Sequence, residues 1–252
     1  MTQPGHDLQL GGELLSTTIK RLLLDRILGG EYAPGERIVE LQLAKELETS
    51  QSPIREALRD LAALGVVAIH PRRGARVRRP TAKELADVSV VRSELDALAA
   101  RLAAESISHE RLAELDRLLT EMSDAAAKDD HRELAFADAK FHATIAEASD
   151  NSAVVRVFEQ LEPFARTFIT FSLPNVDVSV ILREHREIIE ALESGDPERS
   201  ADAARNHQLS VRRLVLQAQE TWAQAAPAGG SSTDGAEEPA KQDAHAEPAE
   251  TP

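Results

Sequence analysis

The sequence predicts a mainly α-helical protein: an N-terminal helix-turn-helix carrying a β-hairpin, followed by an antiparallel α-helical bundle of about six helices. Three observations predict it. The residue mix is rich in Ala, Leu, Glu and Arg, with only 3% aromatics, and so is dominated by good helix formers. Apolar residues recur at helical spacing along most of the chain, interrupted at capping signals. Only the run from Val66 to Val77 reads as β-prone. The length of 252 residues suits two small domains, placed at 12–80 and 81–223, with a tail over 224–252.

Residues 1–13 read as loosely structured. From Leu14 to Leu28, the positions Leu15, Ile19, Leu22, Leu23 and Ile27 form an apolar stripe, and Gly29 and Gly30 end that helix. Pro34 and Gly35 then turn the chain. The stretch ELQLAKELETSQSPIREALR, from Glu40 to Arg59, reads as two short helices around a polar break. Leu41, Leu43, Ala44 and Leu47 line the first, and Ile54, Ala57, Leu58 and Leu61 line the second. Ser52 is expected to cap the second helix, with Pro53 at its first position, where a missing amide proton costs nothing. That start displays Ser50, Gln51, Ser52 and Arg55 at an exposed helix N-terminus, which suits phosphates and base edges in a major groove.

Gly65 ends the second helix. Val66–Ile69 and Ala75–Val77 then form a hairpin across His70, Pro71, Arg72, Arg73 and Gly74. Adjacent arginines beside a glycine allow close backbone approach to an anionic partner; the competing reading is a solvated basic hairpin. Pro80 reads as a linker, and Thr81 with Glu84 as a capping box. Helices follow near 82–105, 108–127, 130–149, 152–172, 178–194 and 197–222. Their breaks fall at Ser108, Asp129, Asn151, Pro174 and Ser194-Gly195-Asp196-Pro197. From about Gln224 the chain turns to Ala, Pro, Gly, Ser and Glu, which cannot bury a core and reads as a disordered acidic tail.

No cysteine is present, which excludes disulfides and thiolate metal sites and fits a cytoplasmic location. No apolar run has membrane-spanning length, so no membrane partner is expected. The net charge of −14 is unevenly spread: residues 14–80 carry +4, residues 81–223 carry −11. Because phosphate neutralisation depends on local charge, the basic N-terminal third is compatible with nucleic acid.

Within the bundle, Asp138 and His142 lie four residues apart on a helix face shared with Leu134, Phe141 and Ile145. A carboxylate on such a stripe is costly unless it is paired or bound to a metal. His185 falls in line with Ile181, Ile188 and Leu192, and His207 with Ala203, Ala204, Val211 and Leu214. One Asp and three His on core faces of three helices form a candidate metal site, although a single inward His is more often a hydrogen-bonded core residue. Nitrogen and oxygen donors suit a divalent ion, with zinc placed first and nickel, manganese and iron also compatible.

The run from Leu14 to Arg79, with LGGEYAPGERIVE, SQSPIREAL and LGVVAIHPRRGARV in order, resembles the winged helix-turn-helix of the GntR family of bacterial transcription regulators. The segments VRSELDALAARLAA, DAKFHATIAEASDN and EHREIIEALESGD, followed by His207, resemble the FCD ligand-binding domain of the FadR subfamily. One departure is Gln51, where the family most often carries arginine. The resemblance implies operator DNA contacts from Ser50, Gln51, Ser52, Arg55, Arg72, Arg73 and Gly74. It also implies a divalent metal held by Asp138, His142, His185 and His207, and a cavity position for Arg92, whose guanidinium would grip a carboxylate effector. The competing reading for Arg92 is a surface arginine paired with Glu94 or Asp96, and Arg166 is a weaker second candidate.

The implied function is a transcription regulator, expected as a repressor, that binds a two-fold symmetric site on double-stranded DNA as a homodimer. A small carboxylate metabolite bound at the metal would control its operator affinity. Two alternatives compete: a metal-dependent enzyme acting on a small organic acid, and a regulator whose metal is purely structural. No enzyme is expected, since no general base like the glutamate of an HExxH helix is evident.

Overall fold

The computed structural model describes residues 6–79, 81–172 and 177–225. The chain runs α1 (His6–Leu28), β1 (Arg37–Ile38), α2 (Glu40–Glu46), α3 (Gln51–Ala63), β2 (Val67–His70) and β3 (Gly74–Val77). It continues through α4 (Ala82–Ala104), α5 (His109–Ala127), α6 (His131–Ala148), α7 (Ser152–Ser172), α8 (Val178–Glu193) and α9 (Pro197–Ala225). The mainly α-helical fold with its winged helix-turn-helix is therefore as expected. Gln224 and Ala225, expected to open the tail, instead end α9; residues 226–252 and the break at Pro174 lie outside the described residues, as does the linker residue Pro80.

The N-terminal core forms where the stripes of α1 and α3 meet the small sheet: Leu23, Ile27, Ile54, Leu58 and Leu61 are buried with Ile38, Val67 and Val77. The sheet order is β1-β3-β2, antiparallel throughout, with Ile38 opposite Ala75 and Val67 opposite Val77. Strand β1 has only two residues and was not expected; it exists because β3 offers it a free edge.

Four further local expectations are corrected. α1 begins at His6, so residues 6–13 are helical rather than loose; extending an established helix costs far less than nucleating one. Leu15 is 40% exposed and Leu41 53%. Leu41 sits about 200° around the helix from Leu43, so a two-turn helix that buries Leu43 and Ala44 must turn Leu41 outward. The residue capping α3 is Ser50, not Ser52, and its side chain makes no capping bond. Pro53 thus takes the third helical position, which is equally free of an intrahelical amide bond.

The capping box of Thr81 and Glu84 starts α4 as predicted: the Glu84 amide donates to Thr81 Oγ1 at 3.2 Å, and the Thr81 amide to Glu84 Oε2 at 2.8 Å. The bundle core gathers Leu115, Leu118, Met122, Phe141, Ile188, Ile189 and Leu192 from α5, α6 and α8, while α4 packs along α9. The two cores touch through α7, whose Phe164 is buried beside Gly65 at the end of α3. Arg78, just after β3, stacks over that ring at 5.7 Å from its centroid.

Candidate metal centre and DNA-reading surface

Asp138 and His142 come from α6, His185 from α8 and His207 from α9. Their helices are phased by local signals. Asp130 Oδ1 accepts the Glu133 amide at 3.0 Å to start α6. Asp196 Oδ1 accepts the Glu198 and Arg199 amides at 3.0 and 3.1 Å, which sets α9 after the turn at Gly195. One ligand atom from each of the four residues lies within 4.8 Å of all the others, so the structure brings the predicted set together. His185 is 0% exposed, His207 1% and His142 4%.

Each imidazole turns its Nδ1 outward to an acceptor. His185 Nδ1 lies 2.8 Å from the Ile181 carbonyl, His207 Nδ1 3.1 Å from Glu184 Oε2, and His142 Nδ1 3.4 Å from Asp96 Oδ2. A backbone carbonyl only accepts, so His185 Nδ1 carries a proton and, in the neutral ring, Nε2 is a bare lone pair. That Nε2 faces Asp138 Oδ1 at 3.2 Å, yet it is buried and has no directed hydrogen bond. Two acceptors pointed at each other in a dry interior repel unless a cation stands between them. The donor set therefore fits a metal ion, which would draw on Nε2 of the three imidazoles and the Asp138 carboxylate.

The electrostatics favour the ligand forms. Burial holds His142 well below its ordinary value, with Arg92 and the neighbouring imidazoles adding to the effect against Asp138. His207 is lowered by burial and by His185. Burial pushes the Asp138 carboxyl up, but a proton from His185 and the positive charge of the imidazoles when protonated outweigh it and keep it well below the usual carboxylate range; a bound cation would take the place of those protons. Neutral rings and an ionised carboxylate are what a divalent ion binds.

Sequence reasoning named Asp96 only as a possible partner of Arg92, which it is, and missed Asp96 and Glu184 as residues behind the ligands. Asp96 is buried on α4 and accepts from Gln208 Nε2 at 2.6 Å and Arg92 Nη2 at 3.2 Å. Burial raises its pKa against the pull of Arg92 and Gln208. Glu184 is lowered because the hydrogen bonds from His207 and Ser210 outweigh burial. Asp96 lies on the same face as Arg92, four residues on, and that spacing was the one available signal. Arg92 is not a surface arginine: it is 5% exposed, lies over the Phe158 ring at 5.3 Å, and its buried Nε has no hydrogen-bond partner. Glu94 pairs with Arg205 instead, at 3.0 Å. The side chain of Arg166 lies outside the described residues.

On the N-terminal domain, Ser50, Ser52 and Arg55 are exposed at the start of α3, and Gln51 is half-buried. Arg55 is not free there: its Nε donates to Glu40 Oε2 at 2.7 Å and its Nη2 to Gln51 Oε1 at 2.8 Å. At the hairpin tip, Arg72 adopts φ +61° and Gly74 φ +82°, a tight reversal that leaves Arg72 and Arg73 exposed. Arg76 and Arg79 are bonded back to the carbonyls of Gly35 and Pro34 at 2.9 and 2.8 Å, and Arg78 to Glu84. The tip arginines are thus separated from structural ones on the same hairpin.

Residues 15–77 match the family described as bacterial regulatory proteins, gntR family, and residues 87–210 match the FCD domain. The chain is 31% identical over 193 residues, 77% of its length and 85% of the relative's, to the probable D-xylose utilization operon transcriptional repressor of Paenarthrobacter nicotinovorans. It is 29% identical over 177 residues to the gluconate operon transcriptional repressor of Bacillus licheniformis, covering 68% of this chain and 72% of that one. The solved structure of E. coli McbR/YncC superposes with a TM-score of 0.71 at 22% identity, over 81% of this chain and 97% of that one, and shows the shared fold. No described helix is long and apolar enough to cross a membrane. A wing and helix pair ahead of a helical domain, matched in that order by both families and by a relative along most of its length, places this chain in the GntR family as a DNA-binding transcriptional regulator with an FCD domain, not an enzyme.

Proposed function

We propose that this regulator is a repressor, that it binds a two-fold symmetric operator as a homodimer, and that a small carboxylate bound at a divalent metal in the bundle controls its DNA affinity. One observation carries the metal: three buried imidazoles, each anchored at Nδ1, meet the Asp138 carboxylate within 4.8 Å. Charge supports a divalent ion. With the rings neutral, the carboxylates of Asp138, Asp96 and Glu184 against the single guanidinium of Arg92 leave a net charge that one divalent cation neutralises. Zinc is the first candidate, with nickel, manganese and iron compatible with the same donors.

Four protein ligands leave positions open on a metal that accepts five or six, and a carboxylate fills them naturally. Arg92, whose Nε has no partner, supplies a charge-assisted donor on the Asp96 side of the cluster. The relatives named for a sugar operon and a sugar-acid operon support a small metabolite as effector and repression as the mode. In this reading Ser50, Gln51, Ser52 and Arg55 contact the operator from α3, and Arg72, Arg73 and Gly74 from the wing. The working domain limits are 12–80 and 81–223, with the tail over 224–252 outside both. The protein is expected in the cytoplasm.

The test is a thermal-shift screen of the zinc-loaded protein against small mono-, di- and hydroxycarboxylic acids, beside Asp138→Ala. A hundredfold excess of effector over Kd stabilises by about 2.7 kcal/mol. A shift in the wild type that Asp138→Ala lacks supports the reading. Stabilisation by zinc with no response to any acid makes the metal structural.

A further inference from the structure

Of the three acceptors that face the Nδ1 atoms of the rings, Asp96 is the one that comes from a helix supplying no metal ligand. It sits on α4, the helix that follows the wing, and it ties α4 to α6 through His142 and to α9 through Gln208. Its Oδ2 receives Gln208 Nε2 at 2.6 Å and Arg92 Nη2 at 3.2 Å, with His142 Nδ1 at 3.4 Å. Among the described residues, His142 is the only one of the three rings whose outer acceptor is itself held by a cation. The anchor of His185 is a backbone carbonyl on its own helix, and that of His207 is Glu184.

We propose that Asp96 is a positioning residue for the metal. It keeps the proton of His142 on Nδ1, so that Nε2 faces the ion, and through its ion pair it makes metal affinity depend on Arg92. This rests on the metal reading above. Its consequence is that a change at Arg92 reaches the ion through one carboxylate as well as through its own charge, without Arg92 touching the ion.

The experiment is titration of the chelator-treated full chain with zinc ion alone, together with long-range 15N–1H NMR of the imidazoles. Wild type, Asp96→Asn, Arg92→Gln and the double variant are compared. Outer partners of this kind are typically worth 10- to 100-fold in metal affinity, so Asp96→Asn is expected to weaken zinc by about that factor. The metal-free protein should also melt lower, because Arg92 loses its buried carboxylate, so zinc affinity is read on folded protein, and the His142 ring should lose its single tautomer. Arg92→Gln should change zinc affinity by a different factor in the wild-type background than in Asp96→Asn, where only its direct charge effect remains.

Should Asp96→Asn fail to fold, Gln208→Met loosens the same carboxylate without removing its charge and is expected to give a smaller loss with the same change at His142. Wild-type zinc affinity in either folded variant, or an unchanged His142 tautomer, overturns the proposal while leaving the metal reading standing. Failure of the wild type to bind zinc, nickel or manganese overturns both.

Discussion

The two functional regions of this molecule solve opposite problems. The N-terminal domain, at +4 over residues 14–80, holds its candidate contact residues out in solvent on a scaffold whose stability comes from a separate apolar core. The bundle, at −11 over residues 81–223, places its candidate ligands inside the core, where every polar atom needs a partner. In the first region a contact residue can change without disturbing the fold. In the second, binding and folding draw on the same side chains.

The sharpest way to break that contrast is to damage one core alone. Leu23→Ala removes a fully buried side chain between α1 and α3 and should cost about 2–5 kcal/mol in denaturant unfolding of the reader. Operator binding should fall with it while zinc affinity stays; an equal loss of zinc affinity would show that the two regions are not separate. Next in size is the metal itself. At a thousandfold excess over Kd, zinc should stabilise the protein by about 4.1 kcal/mol, and Asp138→Ala melted with and without chelator should show no such difference.

Arg55→Ala comes third. It should cost about 1–3 kcal/mol of operator affinity and relax specificity at one base pair, as read in a binding titration over operator variants. The lower end is expected, because Glu40 and Gln51 already satisfy the guanidinium and must be exchanged for DNA. Unchanged affinity would remove Arg55 from the interface. The smallest effect is on pH. His142 and His207 sit below the ordinary value of 6.5 in the fold, so the unfolded chain takes up protons first as pH falls. Metal-free protein should hold its full stability above about pH 7.5 and lose about 1 kcal/mol between about pH 7 and 6, measured by denaturant unfolding. A gain on acidification would reverse the assigned protonation states.

The contrast also explains what could be read from the residues alone. Asp138 and His142 were legible because an i,i+4 polar pair interrupts an otherwise apolar face, and His185 and His207 because each falls in phase with buried isoleucines, valines or alanines. Helix ends were legible where a cap and a glycine coincide, as at Ser194-Gly195-Asp196. Asp96, Glu184 and Gln208 were not, since a polar residue at the edge of a stripe looks solvated until another helix covers it. The start of α3 was misplaced because Ser50 and Ser52 are equivalent caps by residue type, and Pro53 fits any of the first helical positions. Strand β1 carries no periodicity in two residues; only its partner β3 makes it a strand.

Gly65 stands where almost no clearance is left. It takes φ +75° at the end of α3, and a Cβ placed on it would lie 3.1 Å from Phe164 Cδ2 and 3.3 Å from Arg78 Nη1. The gap between the end of α3 and the ring presented by α7 is therefore smaller than one methyl group. Phe158, six residues earlier on the same helix, lies against Arg92, so the two rings are about 9 Å apart along the axis. With no slack at that joint, α3 and the bundle meet like meshed teeth: a slide of α7 by even a fraction of an ångström has to be taken up by the end of α3 or by Arg78, not absorbed in empty space.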